Sequence, residues 1–355
     1  MHILHVVGAR PNFMKAAPVL AALGQQQGVR QTLVHTGQHY DANMSDVFFQ
    51  QLGMPVPDVN LEVGAGSHAQ QTAQVISRFE PVVSEHAPDL VLVYGDVNST
   101  MAAALVCSKL QMKVGHVEAG LRSRDRSMPE GINRLIADQL ADLLFTPSAD
   151  GDENLCREGI APAKIHRVGN VMIDTLVRLL PVCAAHKPTR LPDRYALVTL
   201  HRPSNVDDPG WLKALLHALG EIANELQVVF PIHPRTRKRM QELGLNLARG
   251  VQLLEPAPYL AFLALQKDAT IVITDSGGVQ EETTFLGVPC LTLRENTERP
   301  ITVTLGTNLV IGRDLDRMQQ EIRRILSGEK KASSAIPLWD GHAAERIAQV
   351  VLFAQ

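Results

Sequence analysis

The chain has 355 residues, of which 45% are hydrophobic and 20% charged, and its 34 basic and 37 acidic side chains leave a formal net charge of -3. At roughly 150 residues per domain, this length predicts two domains. The balanced charge argues against a nucleic-acid partner, the apolar runs are too short for a transmembrane span, and the first residues lack a signal-peptide pattern. The four cysteines form no Cys-x-x-Cys pair. We therefore expect a cytoplasmic protein without a membrane partner, a disulfide framework or a zinc knuckle.

Short apolar runs alternate with stretches of helical period along the chain. The predicted strands are His2–Val7, Gln31–Thr36, Leu90–Tyr94, Lys113–Val117, Leu143–Thr146, Ile165–Val168, Tyr195–Leu200, Gln227–Ile232, Val251–Leu254, Ala269–Thr274, Pro289–Leu293 and Asn308–Ile311. The predicted helices between them include Thr100–Leu110, Pro209–Leu226 and Gly278–Leu286. Strands that alternate with helices form parallel sheets covered on both faces. The sequence therefore predicts an α/β protein with two Rossmann-like, doubly wound domains that face a cleft.

The stretch Pro181–Pro192 holds three prolines and several charged residues, and it is the best candidate for a domain boundary. We therefore predict an N-terminal domain at 1–180 and a second domain at 181–338. Residues 339–355 carry apolar side chains at helical spacing. They predict a C-terminal helix that packs back on the first domain.

Several common chemistries are excluded by what the sequence lacks. The first strand leads into Gly-Ala-Arg-Pro at 8–11 instead of the Gly-x-Gly-x-x-Gly of a dinucleotide site. The P-loop and His-Glu-x-x-His patterns are absent. His-Val-Glu at 116–118 resembles part of a zinc deaminase motif, but Pro-Cys at 289–290 is not followed by a second cysteine. We expect no nicotinamide, no metal and no other cofactor.

The segment 274–282, Thr-Asp-Ser-Gly-Gly-Val-Gln-Glu-Glu, predicts a strand that turns at once into a helix. Such a turn aims free backbone N–H groups and the positive end of the helix at a phosphate. Gly277 and Gly278, directly after Ser276, leave room for close approach. Glu282, one turn further on, is placed to accept two hydrogen bonds from a ribose. The alternative interpretation is an ordinary capped helix after a tight turn.

Two basic residues follow the first strand. Arg10 stands at the equivalent position of the first domain, and with Lys15 it is placed to neutralise a diphosphate. An arginine after a strand is also often structural or solvated. The opposing Ser-Gly-Gly turn favours the functional interpretation.

Three carboxylates are expected where strands end or a helix begins. Asp96 and Glu118 follow the third and fourth predicted strands, and Glu130 stands near a predicted helix start. In open α/β sheets the carboxyl ends of the strands line the ligand crevice, so we expect the first two to converge there. Close carboxylates shift one another's pKa values apart, which suits a general acid and a general base. The alternatives are an Asx turn for Asp96 and a helix-stabilising first-turn carboxylate for Glu130.

Two histidines end consecutive strands of the second predicted domain. His201 follows Tyr195–Leu200, and His233 follows Gln227–Ile232. Both are expected to face the crevice, whereas a single histidine is more often a structural residue. Gln-His-Tyr-Asp at 38–41 follows the second strand of the first domain and stays open between a functional and a structural role.

These motifs together resemble the non-hydrolysing UDP-N-acetylglucosamine 2-epimerase family, whose members have the two-domain GT-B fold. The similarity runs over nearly the whole chain. Its motifs are GARP at 8–11, TGQH at 36–39, YGDVNST at 94–100, GHVEAGLR at 115–122, PEGINR at 129–134, GNVMIDTL at 169–176, HRPSN at 201–205, TDSGGVQEE at 274–282 and ENTERPITVTLGTN at 295–308.

The resemblance implies specific roles for these residues. The implied catalytic residues are Asp96, Glu118, Glu130 and His201, and the implied contacts to UDP are Arg10, His233, Ser276, Gly277, Gly278 and Glu282. The implied reaction inverts C2 of UDP-N-acetylglucosamine, giving UDP-N-acetylmannosamine for bacterial or archaeal surface polysaccharides. The route is elimination of UDP to a 2-acetamidoglucal, followed by re-addition. The family also implies a homodimer.

Some positions depart from the family's pattern. Glu130 is followed by glycine, and His201-Arg202 by Pro-Ser, where many relatives carry Glu-Glu and His-Arg-Arg-Glu. Tyr-Asp at 40–41 replaces the usual Arg-Gln. These last positions belong to a second, activating substrate site in bacterial members, so activation by substrate is not expected here.

Other functions stay open. TGQHYDANMSDVFF at 36–49 and HPRTR at 233–237 resemble the branch that acts on UDP-2,3-diacetamido-2,3-dideoxyglucuronate, whereas TERP at 297–300 resembles the UDP-N-acetylglucosamine branch. A GT-B glycosyltransferase would share the fold and need an acceptor groove. A hydrolysing epimerase would release free sugar, and a nucleotide-sugar sensor would have little use for the carboxylates.

Overall fold

The computed structural model describes residues 1–38, 49, 51–126, 128–329 and 331–353. Contacts between Cα atoms divide the chain into two compact units. Unit 1 comprises Met1–Thr175 and Pro337–Gln355, and unit 2 comprises Leu176–Ile336. Each unit has its own sheet, so each is described by itself.

Unit 1 is built on a parallel sheet whose described strands number seven, in the order β3-β2-β1-β4-β5-β6-β7. The strands are β1 (His2–Val7), β2 (Arg30–His35), β3 (Val59–Asn60), β4 (Leu90–Tyr94), β5 (Val114–Val117), β6 (Leu143–Thr146) and β7 (Ile165–Arg167). The helices are α1 (Arg10–Gly24), α2 (His68–His86), α3 (Asn98–Lys109), α4 (Pro129–Leu140), α5 (Ala149–Arg157) and the start of α6 (Val171–Cys183). A 3-10 turn covers Pro162–Lys164.

Unit 2 repeats the same plan with six described strands in the order β10-β9-β8-β11-β12-β13. The strands are β8 (Tyr195–Thr199), β9 (Gln227–Pro231), β10 (Val251–Leu254), β11 (Ile271–Thr274), β12 (Cys290–Thr292) and β13 (Asn308–Val310). The helices are α7 (Pro203–Val206), α8 (Pro209–Ile222), α9 (Pro234–Glu242), α10 (Tyr259–Asp268), α11 (Gly277–Leu286), α12 (Pro300–Thr304) and α13 (Leu315–Leu326). A 3-10 turn covers Ala184–His186, after the end of α6.

The sequence prediction of two parallel α/β units is confirmed. Every predicted strand is present, with ends that differ by no more than two residues. The prediction missed β3, because its two residues are too short to show a pattern. The central strands are buried along their length because helices cover both faces, and this burial explains their unbroken apolar sequences.

The last helix, α14 (Ala343–Phe353), belongs to unit 1. Asp174 accepts hydrogen bonds from the backbone N–H groups of Ala343 and Ala344 at 3.1 and 2.6 Å, and so caps the start of the helix. The Trp339 indole donates to the Pro147 carbonyl at 2.9 Å. These contacts attach the C-terminal segment to the sheet that begins at residue 2. In the part of the chain that the structure describes, no helix is long and apolar enough to cross a membrane.

All strands within each sheet are parallel, so their carboxyl ends lie at one edge. In unit 1 this edge carries the turns after β1, β4 and β5. In unit 2 it carries the turns after β8, β9 and β11. The predicted site residues stand in or just beyond these turns.

Gly169 offers a test of this packing. Its φ is +92°, and a Cβ there would overlap the Leu338 carbonyl, whereas Gly159 has a similar φ of +84° and nothing within 4 Å. We expect Gly159→Ala to cost about 1 kcal/mol of unfolding free energy from backbone strain alone. Gly169→Ala should cost about 2 kcal/mol more, because the C-terminal segment must shift. Urea denaturation measures both, and equal losses would contradict the packing described.

Candidate active site

The turn after β1 is closed around a single asparagine. Asn12 Oδ1 accepts from the backbone N–H groups of Gly8 and Ala9 at 2.9 and 3.2 Å, and Asn12 Nδ2 donates to the Tyr94 carbonyl at 2.7 Å. A Cβ at Gly8 would collide with the Ser99 side chain. The glycine therefore serves tight packing between β1 and α3. Arg10 begins α1 directly after this turn, and its side chain is exposed.

Four charged side chains meet at the carboxyl ends of β4 and β5. Lys15 Nζ lies 2.5 Å from Glu118 Oε2, and Arg134 Nη2 lies 2.5 Å from Asp96 Oδ2 and 3.7 Å from Glu118 Oε2. We refer to these residues as the four-charge cluster: Lys15, Asp96, Glu118 and Arg134. The two cations balance the two carboxylates, which makes the burial of this cluster tolerable.

Glu118 is the deepest carboxylate of the cluster. Its side chain is 2% exposed, whereas the Asp96 side chain is 19% exposed. The Glu118 backbone has a φ of +72°, in the left-handed region that a non-glycine residue rarely occupies. Its N–H donates to the Phe145 carbonyl at 3.1 Å, which holds this conformation against β6. Strain of this kind concentrates at functional sites.

The position of Gly95 explains how the cluster packs. A Cβ on Gly95 would lie 2.6 Å from Lys15 Nζ and 3.3 Å from Glu118 Oε2, and the residue has a φ of +63°. Both the conformation and the space require glycine here. The turn between β4 and Asp96 is therefore shaped around the Lys15–Glu118 pair.

Glu130 stands apart from the cluster. It lies half-buried in the first turn of α4, and within the described part of the chain no hydrogen bond or ion pair connects it to the other three catalytic candidates. The same helix contributes Arg134 to the cluster, and Asn133 Nδ2 donates to the Asp96 carbonyl at 2.9 Å. One helix thus carries both the isolated carboxylate and the guanidinium that contacts Asp96.

Arg134 is a member of the cluster to which the sequence motifs assigned no role. The Lys15 ammonium contacts Glu118, a partner that the sequence did not predict, and the expected contact with a diphosphate stays a prediction. Arg134 lies between two carboxylates that were expected to interact directly. The available signal was its place one turn after Glu130 in a helix that starts at the site.

In unit 2, Asp275 organises the turns after β8 and β11. Its carboxylate accepts from the backbone N–H groups of His201 and Arg202 at 3.0 and 2.9 Å, and from Asn205 Nδ2 at 3.1 Å. His201 Nδ1 lies 3.1 Å from Asp275 Oδ1. Burial alone would raise the pKa of Asp275, but the hydrogen bond and charge of His201, with the Arg202 N–H, hold it below its ordinary value.

The carboxylate of Asp275 sets the orientation of the His201 ring. A carboxylate accepts, so His201 Nδ1 carries a proton and donates it to Asp275. The sequence analysis included Asp275 in a motif and gave it no role. Its position between Thr274 and Ser276, directly after a buried strand, was the available signal.

The two predicted histidines of unit 2 lie close together. The ring centroids of His201 and His233 are 5.6 Å apart. His233 Nδ1 accepts from the Arg235 N–H at 3.2 Å and caps the start of α9. Burial and, after it, the neighbouring His201 lower the pKa of His233, so its ring is neutral at pH 7.

The predicted strand-to-helix turn is present at the start of α11. Ser276 precedes the helix, and Gly277 and Gly278 form its first turn, where backbone N–H groups have no intrahelical partner. A Cβ on Gly277 would lie 2.5 Å from Arg299 Nη1. The glycine therefore makes room for the Arg299 guanidinium beside the turn.

Arg299 belongs to a buried group of four charged residues. Its Nε lies 2.8 Å from Glu281 Oε1 and its Nη1 lies 3.4 Å from Glu298 Oε2. Arg294 binds both oxygens of Glu298 at 3.0 Å. This group fixes the segment 294–299 against the first turns of α11.

Glu282 is buried with both oxygens occupied. Oε1 accepts from the Tyr259 hydroxyl and Oε2 from Gln266 Nε2, each at 2.8 Å. Burial, with the neighbouring Glu281 charge, raises the pKa of Glu282 to about 7, although the Tyr259 hydrogen bond lowers it. A ribose would have to use the remaining lone pairs of this carboxylate. Residues 39–41, whose role the sequence left open, lie outside the described residues.

The fold and these groups define a GT-B-like α/β enzyme, and comparisons with known proteins specify it. A family model described as UDP-N-acetylglucosamine 2-epimerase matches residues 21–352. The chain belongs to this family.

Three relatives show how close the similarity is. The chain is 43% identical to the UDP-2,3-diacetamido-2,3-dideoxy-D-glucuronate 2-epimerase of Pseudomonas aeruginosa, over 98% of this chain and 99% of that protein. The Methanocaldococcus jannaschii UDP-GlcNAc 2-epimerase in complex with UDP-GlcNAc and UDP is 39% identical, with a TM-score of 0.89 over 99% and 100% of the two chains. The Neisseria meningitidis UDP-GlcNAc 2-epimerase bound to UDP-GlcNAc is 31% identical, with a TM-score of 0.91 over the same shares.

The raised pKa of Glu282 predicts a pH-dependent stability. Its pKa is about 7 in the folded state against an ordinary 4.5, so the carboxyl binds its proton more tightly when folded. The stability that this provides is present below pH 4.5 and is lost as the pH rises to 7, by about 3 kcal/mol. Glu282→Gln cannot ionise, and Gln266 can turn its buried, unpartnered Oε1 toward the new amide.

We therefore expect Glu282→Gln to gain stability relative to the wild type between pH 5 and pH 8. Urea denaturation at both pH values measures this difference. Glu255→Gln, at an exposed glutamate of the same unit, is the control and should show little change. A Glu282→Gln effect that is the same at pH 5 and pH 8 would contradict the burial of an ionisable group.

Proposed function

We propose that the protein is a non-hydrolysing epimerase that inverts C2 of UDP-N-acetylglucosamine and forms UDP-N-acetylmannosamine. The observation that carries the proposal is the four-charge cluster, in which a strained, buried Glu118 lies beside Lys15 and Arg134 in a chain of this family. Two carboxylates at adjacent strand ends suit the removal and return of a proton. The relatives named for this reaction support the assignment of the sugar.

The chemistry favours elimination. The C2 proton of a 2-acetamido sugar is not adjacent to a carbonyl carbon, so simple deprotonation is too difficult. The C1–O bond breaks first and its electron pair leaves with UDP, while C1 gains oxocarbenium character. Loss of the C2 proton then forms the glycal double bond. In the return step C2 takes a proton on the opposite face and an oxygen of UDP bonds again to C1.

Unit 1 is proposed to move the protons. One of the pair Asp96 and Glu118 takes the C2 proton and the other returns a proton to C2 on the opposite face, and the ionised carboxylate stabilises the developing cation. Lys15 and Arg134 stabilise the carboxylate form of Glu118. Glu130 remains a third catalytic candidate on the helix that supplies Arg134.

Unit 2 is proposed to hold the nucleotide. The N-terminal turn of α11, Ser276 to Gly278, and His233 bind the diphosphate, and Glu282 binds the ribose. Arg10, at the start of α1, is proposed to neutralise a diphosphate as charge develops on it. His201, oriented by Asp275, donates to or accepts from the reacting sugar through Nε2.

A second substrate is favoured by one observation. The Pseudomonas aeruginosa relative, 43% identical, is named for UDP-2,3-diacetamido-2,3-dideoxy-D-glucuronate. The same elimination would operate on that sugar, because its C1 and C2 carry the same groups. TERP at 297–300 and the archaeal and bacterial relatives named for UDP-N-acetylglucosamine favour the simpler sugar. Synthesis of surface polysaccharide precursors by a cytoplasmic homodimer completes the proposal.

The decisive experiment follows the sugar protons by NMR in deuterated water. With UDP-N-acetylglucosamine we expect UDP-N-acetylmannosamine with deuterium at C2. Glu118→Gln should lose about a thousandfold in turnover, because the proton-transferring carboxylate is removed. Glu153→Gln, at an exposed glutamate of the same unit, should retain wild-type turnover.

Other results would assign another function. Free N-acetylmannosamine would indicate the hydrolysing reaction, and turnover of the diacetamido-uronate alone would indicate the other branch. Absence of exchange and of epimer with both sugars, without an acceptor, would contradict an epimerase and leave a glycosyltransferase or a sensor.

The Asp275–His201 pair predicts a separate effect. Asp275→Asn presents an amide to donors that need an acceptor, so His201 loses its fixed orientation. We expect kcat to fall by about tenfold to a hundredfold, with a loss of stability from the unpaired N–H groups. Asp268→Asn, at a half-exposed carboxylate paired with Lys187, is the control. Unchanged kcat in folded Asp275→Asn would show that the pair does not serve the reaction.

A further inference from the structure

A buried histidine that the proposed mechanism does not use lies directly behind the four-charge cluster. His116 is fully buried in β5, two residues before Glu118. Its Nε2 lies 2.7 Å from the Gly95 carbonyl oxygen and its Nδ1 lies 2.6 Å from Asp138 Oδ1. Gly95 is the residue directly before Asp96. The ring therefore connects the strand that carries Glu118 with the turn that carries Asp96.

The protons of this ring follow from its partners. A carbonyl oxygen only accepts, so His116 Nε2 carries a proton and donates it to Gly95. The Asp138 carboxylate also accepts from the Gly120 N–H at 3.2 Å and contacts Arg122 Nη2 at 2.7 Å. Burial would raise the pKa of Asp138, but His116 and Arg122 hold it below its ordinary value. The ionised carboxylate fixes the ring from its other side.

The partners of Asp138 form a line of alternating charge that leads outward. Arg122 contacts Asp138 and also both oxygens of Glu158, at 2.9 and 2.6 Å. The Glu158 side chain is 28% exposed. Each charge on this line has a counter-charge beside it, so the arrangement behind the cluster is held without an isolated buried ion.

Both backbone polar groups of Gly95 are hydrogen-bonded to residues of β5. Its N–H donates to the Val117 carbonyl at 2.9 Å and its carbonyl accepts from His116. We propose that His116 is a positioning residue, which holds the Gly95 carbonyl through Nε2–H and so sets the separation of the Asp96 and Glu118 carboxylates. Asp138 orients the ring for this task. The inference rests on the proposed function for the reaction that these carboxylates serve.

Two isosteric variants separate the two hydrogen bonds of the ring. The amide nitrogen of glutamine reaches the position of Nε2, so His116→Gln keeps the donor to Gly95 and loses the contact with Asp138. The amide nitrogen of asparagine reaches the position of Nδ1, so His116→Asn keeps Asp138 and loses Gly95. Both variants remove the ring from the same buried position, and thermal unfolding should show similar losses of stability.

Turnover should distinguish the two variants. His116→Asn should lower kcat by about a hundredfold, the cost of misplacing a catalytic group by about 1 Å, with KM within about twofold of the wild type. His116→Gln should keep kcat within about fivefold. Equal losses of kcat in the two variants, in proportion to their loss of stability, would show a structural role only and overturn the inference.

A measurement without turnover covers the remaining outcomes. In the wild type labelled with ¹⁵N-histidine, the His116 signal, assigned by its loss in whichever variant at position 116 folds, should show a protonated Nε2. An unprotonated Nε2 overturns the inference whatever the turnover of the variants. Should the wild type turn over neither sugar, the proposed function fails and the role of His116 in catalysis fails with it. If the wild type is active and the two variants lose kcat equally, the inference about His116 is contradicted and the proposed function stands.

Discussion

The need of every buried charge for a counter-charge shapes both units of this protein. Unit 1 brings Lys15 and Arg134 to the carboxylates of Glu118 and Asp96, and unit 2 pairs Arg294 and Arg299 with Glu298 and Glu281. Parallel sheets make these ion pairs possible, because their strands end at a common edge, where side chains from distant segments of the chain lie close together. Burial then strengthens each pairing, since little water competes with it. The chemistry proposed for the protein takes place among groups whose charges are already balanced.

The fold was predictable from the sequence because its signals are local. Strands covered on both faces are unbroken apolar runs, and the turns after them carry glycine, proline or charge. Strand β3 was not predicted because a strand of two residues is too short to show a hydrophobic pattern. The positions of Asp96, Glu118 and His201 followed from the same logic, since a polar residue directly after a buried strand must lie at the carboxyl edge of the sheet.

Pairings between these residues were less predictable because they depend on side-chain direction. The contact of Lys15 with Glu118 was not predicted, and Arg134 and Asp275 received no role although their motifs were recognised. Arg134 comes from a helix whose rotation about its axis decides which face reaches the site. The Asp275 carboxylate accepts hydrogen bonds from backbone N–H groups of a neighbouring turn. Sequence spacing carries no information about such a contact.

The left-handed backbone of Glu118 has a consequence for how this fold diverges. The position is costly for any side chain with a Cβ, and a buried carboxylate adds to the cost. Glycine or asparagine there would relieve the backbone, but it would also leave the buried Lys15 ammonium without its counter-charge. A descendant released from catalysis would therefore be drawn toward glycine at this position once Lys15 had also lost its charge. The identity of this one residue would then separate working enzymes from folded descendants that have kept the architecture and abandoned the reaction.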